Sequence, residues 1–123
     1  MERRTRQRDA IRRVFEDAGR PLGPIEVLEA GRDHVRGLGI ATVYRTIASL
    51  VETEWLTPVE LPGEPPRYEV AGQDHHHHFR CRLCARVFEI HGCPGQLNDL
   101  TPPGFALERH EVVLYGLCEA CVT

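Results

Sequence analysis

The chain has 123 residues, 41% of them hydrophobic, and a formal net charge of −3. That length makes one ordinary domain or two very small ones, and two half-size cores are each marginal without a staple such as a metal. No apolar run reaches membrane-spanning length, and the N-terminal MERRTRQRDA has no apolar segment behind its charges, so no membrane association is expected and the cytoplasm is the expected location.

In chain order, RRTRQRDAIRRVFEDAG places Ala10, Ile11, Val14, Phe15 and Ala18 at helical spacing, with Gly19 as the stop. A second helix is expected from Pro24, a residue suited to a first turn, with Ile25, Val27, Leu28 and Ala30 on its buried side. After the Gly-broken RGLGI, the segment ATVYRTIASLVETEW predicts a third helix with Val43, Ile47, Leu50 and Val51 facing inward. Two short strands, LTPVEL and RYEV, follow around the Pro/Gly turn PGEPP. Three helices and then a hairpin is the order of a winged helix-turn-helix.

AGQD, residues 71–74, reads as a hinge, and the expected domains are 1–72 and 73–123. Beyond it the pattern turns to strands, in FRC, RVFEI and FALERHEVVLYG, with a short helical candidate in PGQLNDL. Charge divides along the same line. Residues 1–45 carry ten Arg against seven acids, whereas residues 46–123 carry five Arg against eleven. All fifteen basic residues are Arg; a GC-rich genome accounts for much of that, and Arg is also the better bidentate donor to phosphate and guanine.

Five cysteines in a reducing compartment favour metal over disulfides. Cys81, Cys84, Cys118 and Cys121 form two C-x-x-C pairs, the four-thiolate set of a closed structural zinc site. The run His75–His78 makes a different site. Strand side chains alternate faces, so His76 and His78 point one way and His75 and His77 the other. Glu69 and Glu89 are carboxylates able to join His76 and His78, and His110 can join the opposite pair. Imidazole with carboxylate suits zinc, iron(II) or manganese(II) and exchanges more readily than four thiolates.

An enzyme is not expected. The chain has no HExxH, no zinc-deaminase signature and no Ser or Cys placed as a nucleophile. The third helix instead reads as a recognition helix, with Thr42, Tyr44, Arg45 and Ser49 outward toward a major groove. The arginines of the N-terminus, Arg3, Arg4, Arg6 and Arg8, suit backbone phosphates, and Arg67 on the wing suits a minor groove.

The motifs TRQRDAI, GIATVYRTIASL, RYEV, HHHHFRCRLC, RVFEIHG and GFALERHEVVLYGLCEAC, in this order, resemble the ferric uptake regulator family of metal-dependent bacterial repressors along nearly the whole chain. The resemblance implies an α+β chain: a winged-helix DNA-binding domain, then an α/β dimerisation domain with a small antiparallel sheet. It implies a homodimer that binds a palindromic double-stranded DNA operator when loaded with metal, with no membrane partner. It implies structural zinc on Cys81, Cys84, Cys118 and Cys121, and a regulatory zinc, iron(II) or manganese(II) on Glu69, His76, His78 and Glu89. A further site would use His75, His77 and His110. The alternative within the resemblance is a peroxide-sensing repressor, in which iron at the regulatory site oxidises a ligand histidine.

Three departures stand out. The loop before the second helix, GRPLGP, lacks the histidine that the family often supplies there, and His34 lies farther along, which leaves Glu69 as the link from the first domain. The helix after EIHG looks shortened. Gln96 stands where many members have a carboxylate, with Asp99 or Glu108 as substitutes. Cys93 is an extra thiol near Glu89 and His91, read either as a ligand, which would favour zinc, or as a small buried residue.

Overall fold

The computed structural model describes residues 2–93, 95 and 97–122, so Gln96 lies outside the described residues. The chain divides into two compact units, Met1–Gln73 and Asp74–Thr123.

In the first unit, α1 (Glu2–Ala18) buries Ala10, Ile11, Val14 and Phe15. It stops where Gly19 takes a left-handed φ of 61°, a conformation that costs glycine little. Helix α2 (Pro24–Gly31) starts at the expected proline, and the Gly23 N–H donates to Glu26 Oε1 at 3.1 Å, satisfying a first-turn donor. Its buried side is narrower than the sequence suggests. Val27 and Gly31, one turn apart, are buried and Leu28 packs partly, but Ile25 is 57% exposed and Ala30 is exposed. Two turns of helix present one row of contacts, and that row faces Leu38: a Cβ on Gly31 would lie 2.6 Å from Leu38 Cδ2.

Helix α3 (Ile40–Glu52) buries Val43, Ile47 and Leu50 at i, i+4 and i+7, with Val51 half-buried beside them. Strands β1 (Leu56–Val59) and β2 (Arg67–Val70) pair antiparallel, Leu56 opposite Val70 and Val59 opposite Arg67. Leu22 adds an isolated antiparallel bridge to β2 by exchanging two backbone hydrogen bonds with Tyr68, at 2.8 and 2.9 Å. One core, from Ile11 and Phe15 through Val27 and Leu38 to Ile47, Leu50 and Leu56, joins the helices to the hairpin. This is the expected winged helix-turn-helix.

The second unit is a three-stranded sheet in the order β4-β3-β5. Strand β3 (His77–Cys81) pairs antiparallel with β4 (Val87–Ile90), His78 opposite Glu89. Strand β5 (Val113–Gly116) lies parallel to β3, His78 opposite Val113, so the sheet is mixed rather than purely antiparallel. A parallel neighbour needs a long crossover, and the 22 residues between β4 and β5 supply it. The helical expectation for PGQLNDL reduces to a 3-10 turn at Leu97–Leu100. The long strand expected over FALERHEVVLYG is only β5. Among the described residues no strand pairs with 105–111, and Val112 meets β3 only where its carbonyl accepts the His78 N–H at 3.2 Å, so most of this backbone has no ladder to join. His110 therefore sits half-buried on an irregular segment and not on a strand.

Candidate metal centres and a candidate nucleic-acid surface

The turn after β3 carries the first cysteine pair. Ala85 takes a left-handed φ of 66°, and its N–H reaches Cys81 O at 3.0 Å, closing a tight knuckle. Inside that knuckle the Cys84 N–H donates to Cys81 Sγ at 3.5 Å. The second pair follows β5, where Cys121 N–H donates to Cys118 O at 2.9 Å. The four sulfurs all lie within 4.8 Å of one another. Cys84 Sγ and Cys118 Sγ are 3.8 Å apart; a tetrahedron with Zn–S bonds of about 2.3 Å has edges of about 3.8 Å.

The electrostatics divide the thiols. The Cys84 backbone N–H holds the Cys81 thiol down to about 6, against the effect of burial, with the backbone at Cys118 and Leu83 assisting. Hydrogen bonding with the Cys118 thiol pushes Cys121 up to about 12, and burial adds to the rise. The knuckle thus stabilises one thiolate ahead of any metal, while Cys121 keeps its proton until a cation displaces it. The set fits a closed zinc site.

The histidines alternate as their spacing predicts, although only His77 and His78 belong to β3 itself. His76 and His78 stack edge to face with ring centroids 4.9 Å apart, and His75 and His77 do so at 4.5 Å. On the first face, Glu89 Oε2 lies 2.9 Å from His76 Nε2 and 3.6 Å from His78 Nε2, with all three side chains largely buried. His76 Nδ1 lies 2.7 Å from the Asp74 carbonyl. That carbonyl can only accept, so Nδ1 carries the proton and the Nε2 lone pair faces the carboxylate. Two electron-rich atoms at that distance need a positive charge between them, a proton or a metal cation. Glu69 belongs to the first unit, on β2 opposite Thr57.

On the other face, His110 Nε2 lies 3.2 Å from His75 Nε2 and 3.1 Å from Cys93 Sγ. His77 completes this group, in which one ligand atom from each residue lies within 4.8 Å of every other. His77 is only 2% exposed; its Nδ1 accepts the Val112 N–H at 3.1 Å, and its Nε2 is buried without a hydrogen-bond partner. Burial, then the neighbouring His75 and His110, pull its pKa below the usual imidazole value and favour the neutral ring, whose proton the Val112 contact places on Nε2.

The fold thus brings together His75, His77 and His110, the set named from sequence, and adds Cys93. Sequence placed that thiol near Glu89 and His91. The structure puts it on the opposite face from Glu89 and leaves it exposed, so it is not a small buried residue. The path of the chain after Ile90 decides this, and no periodicity marks that path. Glu108 lines a hollow with His75 and His110, whereas Asp99 is exposed on the 3-10 turn.

In the first unit, the start of α1 and the outer face of α3 enclose a hollow of about 750 Å³ lined by Arg3, Arg4, Arg8, Thr42, Arg45 and Ser49, with no acidic residue in its walls. Arg8 donates to Ser49 Oγ at 3.1 Å and Arg45 to Thr42 Oγ1 at 3.2 Å, so both guanidinium groups are oriented before any ligand arrives. Tyr44 stands 56% exposed on the same helix. Two predicted DNA contacts lie elsewhere. Arg6 lines a different hollow, with Asp9 and His34, and Arg67 is held by Glu64 at 3.0 Å with both side chains mostly buried.

A family model described as the ferric uptake regulator family matches residues 2–115. A ferric uptake regulation protein of Campylobacter jejuni subsp. jejuni serotype O:2 is 31% identical over 124 aligned residues, covering 95% of this chain and 78% of the relative. Among solved structures, a zinc-bound manganese uptake regulator superposes with a TM-score of 0.81 at 26% identity, covering 91% of this chain and 87% of its own. A zinc uptake regulator complexed with zinc and DNA superposes with a TM-score of 0.56 at 25% identity, covering 94% and 81% respectively.

Proposed function

The chain belongs to the ferric uptake regulator family, a family of metal-responsive transcriptional regulators and not of enzymes, and from that premise we propose that it is a repressor that binds a palindromic operator as a metal-loaded homodimer. The observation that carries the regulatory half of this reading is Glu89 between His76 and His78, three largely buried side chains whose ligand atoms converge on one point. Glu69, in the winged-helix unit, is the fourth ligand that the sequence resemblance implies. A cation there supplies the positive charge that joins His76, His78 and Glu89, and the resemblance implies that its occupancy sets DNA affinity, a shift of population toward the DNA-competent state.

This site has no thiol. Imidazole and carboxylate suit iron(II), manganese(II) or zinc, the metals of the relatives' names, and Cys93 lends zinc no advantage here. The four-cysteine site is structural zinc. Thr42, Tyr44 and Arg45 read the major groove from α3, while Arg3, Arg4 and Arg8 hold phosphates beside it. The second unit dimerises, and its exposed Phe105, Leu107, Leu114 and Tyr115 are the apolar surface available for that.

The test is operator binding at separately buffered zinc, iron(II) and manganese(II). Binding should require one of these metals. His76→Ala should abolish the metal response while zinc stays in the four-cysteine site, and Glu69→Gln should weaken it. Equal binding with and without metal would overturn the reading. A single oxygen added to His76 or His78 by peroxide in the iron-loaded protein, with loss of DNA binding, would replace it with a peroxide-sensing repressor.

A further inference from the structure

We propose that Cys93 is a metal ligand, and that with His75, His77 and His110 it forms a site of three imidazoles and one thiolate for a borderline-soft divalent cation of the zinc class. The proposal rests on His75, His77 and His110 forming a further metal site, and adds the donor that decides which metal enters it.

The geometry supplies four converging donors. His110 Nε2 has Cys93 Sγ at 3.1 Å on one side and His75 Nε2 at 3.2 Å on the other. In a tetrahedral zinc site with Zn–N bonds of about 2.0–2.1 Å, neighbouring nitrogens lie about 3.3 Å apart. His77 brings an independent sign of a ligand: an imidazole 2% exposed whose Nε2 meets no hydrogen-bond partner. With Nδ1 accepting the Val112 N–H, the proton of the neutral ring lies on Nε2 and meets no acceptor, a costly state. A cation in the group would relieve it once the proton moves to Nδ1 and frees Nε2 to ligate, at the cost of the Val112 contact. The thiol reaches the group because the chain turns back after β4, so Cys93 faces His110 and not Glu89, which the β3–β4 register sets opposite His78.

A thiolate changes the chemistry of the site. Three imidazoles with a carboxylate or water accept iron(II) and manganese(II) readily, whereas a thiolate shifts preference toward zinc and cobalt(II) and away from manganese(II). The two histidine faces of β3 are then not duplicates. The Glu89 face is hard enough for iron(II) or manganese(II), and the Cys93 face selects zinc. Cys93 is exposed, so a cation on its sulfur would also govern whether that sulfur is chemically reachable.

The experiment uses the whole 123-residue chain with zinc already in the four-cysteine site and His76→Ala/Glu89→Gln to silence the other histidine face. Cobalt(II) is titrated in and followed by ultraviolet and visible absorption, with zinc release monitored throughout. The proposal predicts tetrahedral cobalt bands and a thiolate-to-cobalt charge-transfer band that saturates at one added cobalt. Zinc should bleach both, manganese(II) at the same concentration neither, and cobalt should protect Cys93 from iodoacetamide. Cys93→Ser, at an exposed position that does not endanger folding, should remove the charge-transfer band and weaken cobalt at least about tenfold, the lower end of what losing even an outer-sphere partner costs. His110→Ala should weaken cobalt comparably while leaving Cys93 open to alkylation. Cobalt bound without a charge-transfer band, and unchanged by Cys93→Ser, would overturn the proposal and leave the three-histidine site standing. A band that persists in Cys93→Ser would assign it to another thiolate and overturn the proposal equally. No cobalt bound at all would remove the three-histidine site as well.

Discussion

Replacing Cys118 by serine removes one of the four thiolates that close the second unit, and the structure indicates how much should be lost. Among the described residues of that unit, the buried apolar side chains are Cys81, Val87 and Cys118, two of them ligands. The unit spans about 50 residues, and domains of that size have roughly 3–8 kcal/mol of net stability. Structural zinc contributes roughly 10–16 kcal/mol of apparent folding energy in small zinc domains, so one ligand in four is worth about 2.5–4 kcal/mol. That loss takes the unit to the edge of unfolding. The first unit has its own core from Ile11 to Leu56 and should not follow. Hydrogen exchange read by mass spectrometry separates the two. Amide protection in His77–Cys81, Val87–Ile90 and Val113–Gly116 should fall steeply in Cys118→Ser, and zinc should leave at lower chelator concentration. Protection in the three helices should hold. A variant that keeps both its zinc and the protection of β3–β5 would refute the claim that this site supports the sheet.

Zinc affinity at the same site should rise with pH, because the Cys121 thiol, held up to about 12 by the Cys118 thiol and by burial, must give up its proton on binding. Cys81, held down to about 6, is already mostly thiolate at neutral pH, so competition titrations should show a slope steeper by about one proton below pH 6 than above it. On the DNA side, Arg45→Ala should cost about 1–3 kcal/mol and relax preference at one base pair, whereas Arg4→Ala should weaken all sequences alike and lower the salt slope by about one, as measured by fluorescence anisotropy at several salt concentrations. Gly31→Ala should lower the thermal midpoint of the winged helix. Its Cβ would sit 2.6 Å from the fully buried Leu38, and crowding of that kind costs about 1–3 kcal/mol against the roughly 0.5–1 kcal/mol that alanine gains over glycine in a helix.

The first unit was legible in the sequence because its signals are local. Val43, Ile47 and Leu50 repeat at the pitch of one helix face, Pro24 and Gly19 mark helix ends, and PGEPP marks a turn. Ile25 was misread for a related reason: periodicity names an apolar row, but a helix of two turns has contact along one line only, and Val27 and Gly31 occupy it. The alternation of His75 to His78 was equally legible, since the period of an extended chain is two and holds whatever the strand packs against.

The sequence by itself determined that this chain carries a winged helix, a four-thiolate clamp and a histidine run that serves two faces. Each of those follows from neighbours within a few residues, or from residue types whose metal chemistry has few other uses. Glu89 and His110 were also legible as candidates for the two faces, but only the tertiary structure decided how they reach them and that Cys93 joins one. Glu89 reaches His76 and His78 because the antiparallel register sets it opposite His78, and Cys93 reaches His110 because the chain doubles back after β4. Arg3, Arg4 and Arg8 share a hollow with Arg45 while Arg6 does not, because α1 turns one face toward α3 and another toward His34. Register, crossover and helix orientation are set by burial summed over distant segments, and no local pattern of residues encodes that sum.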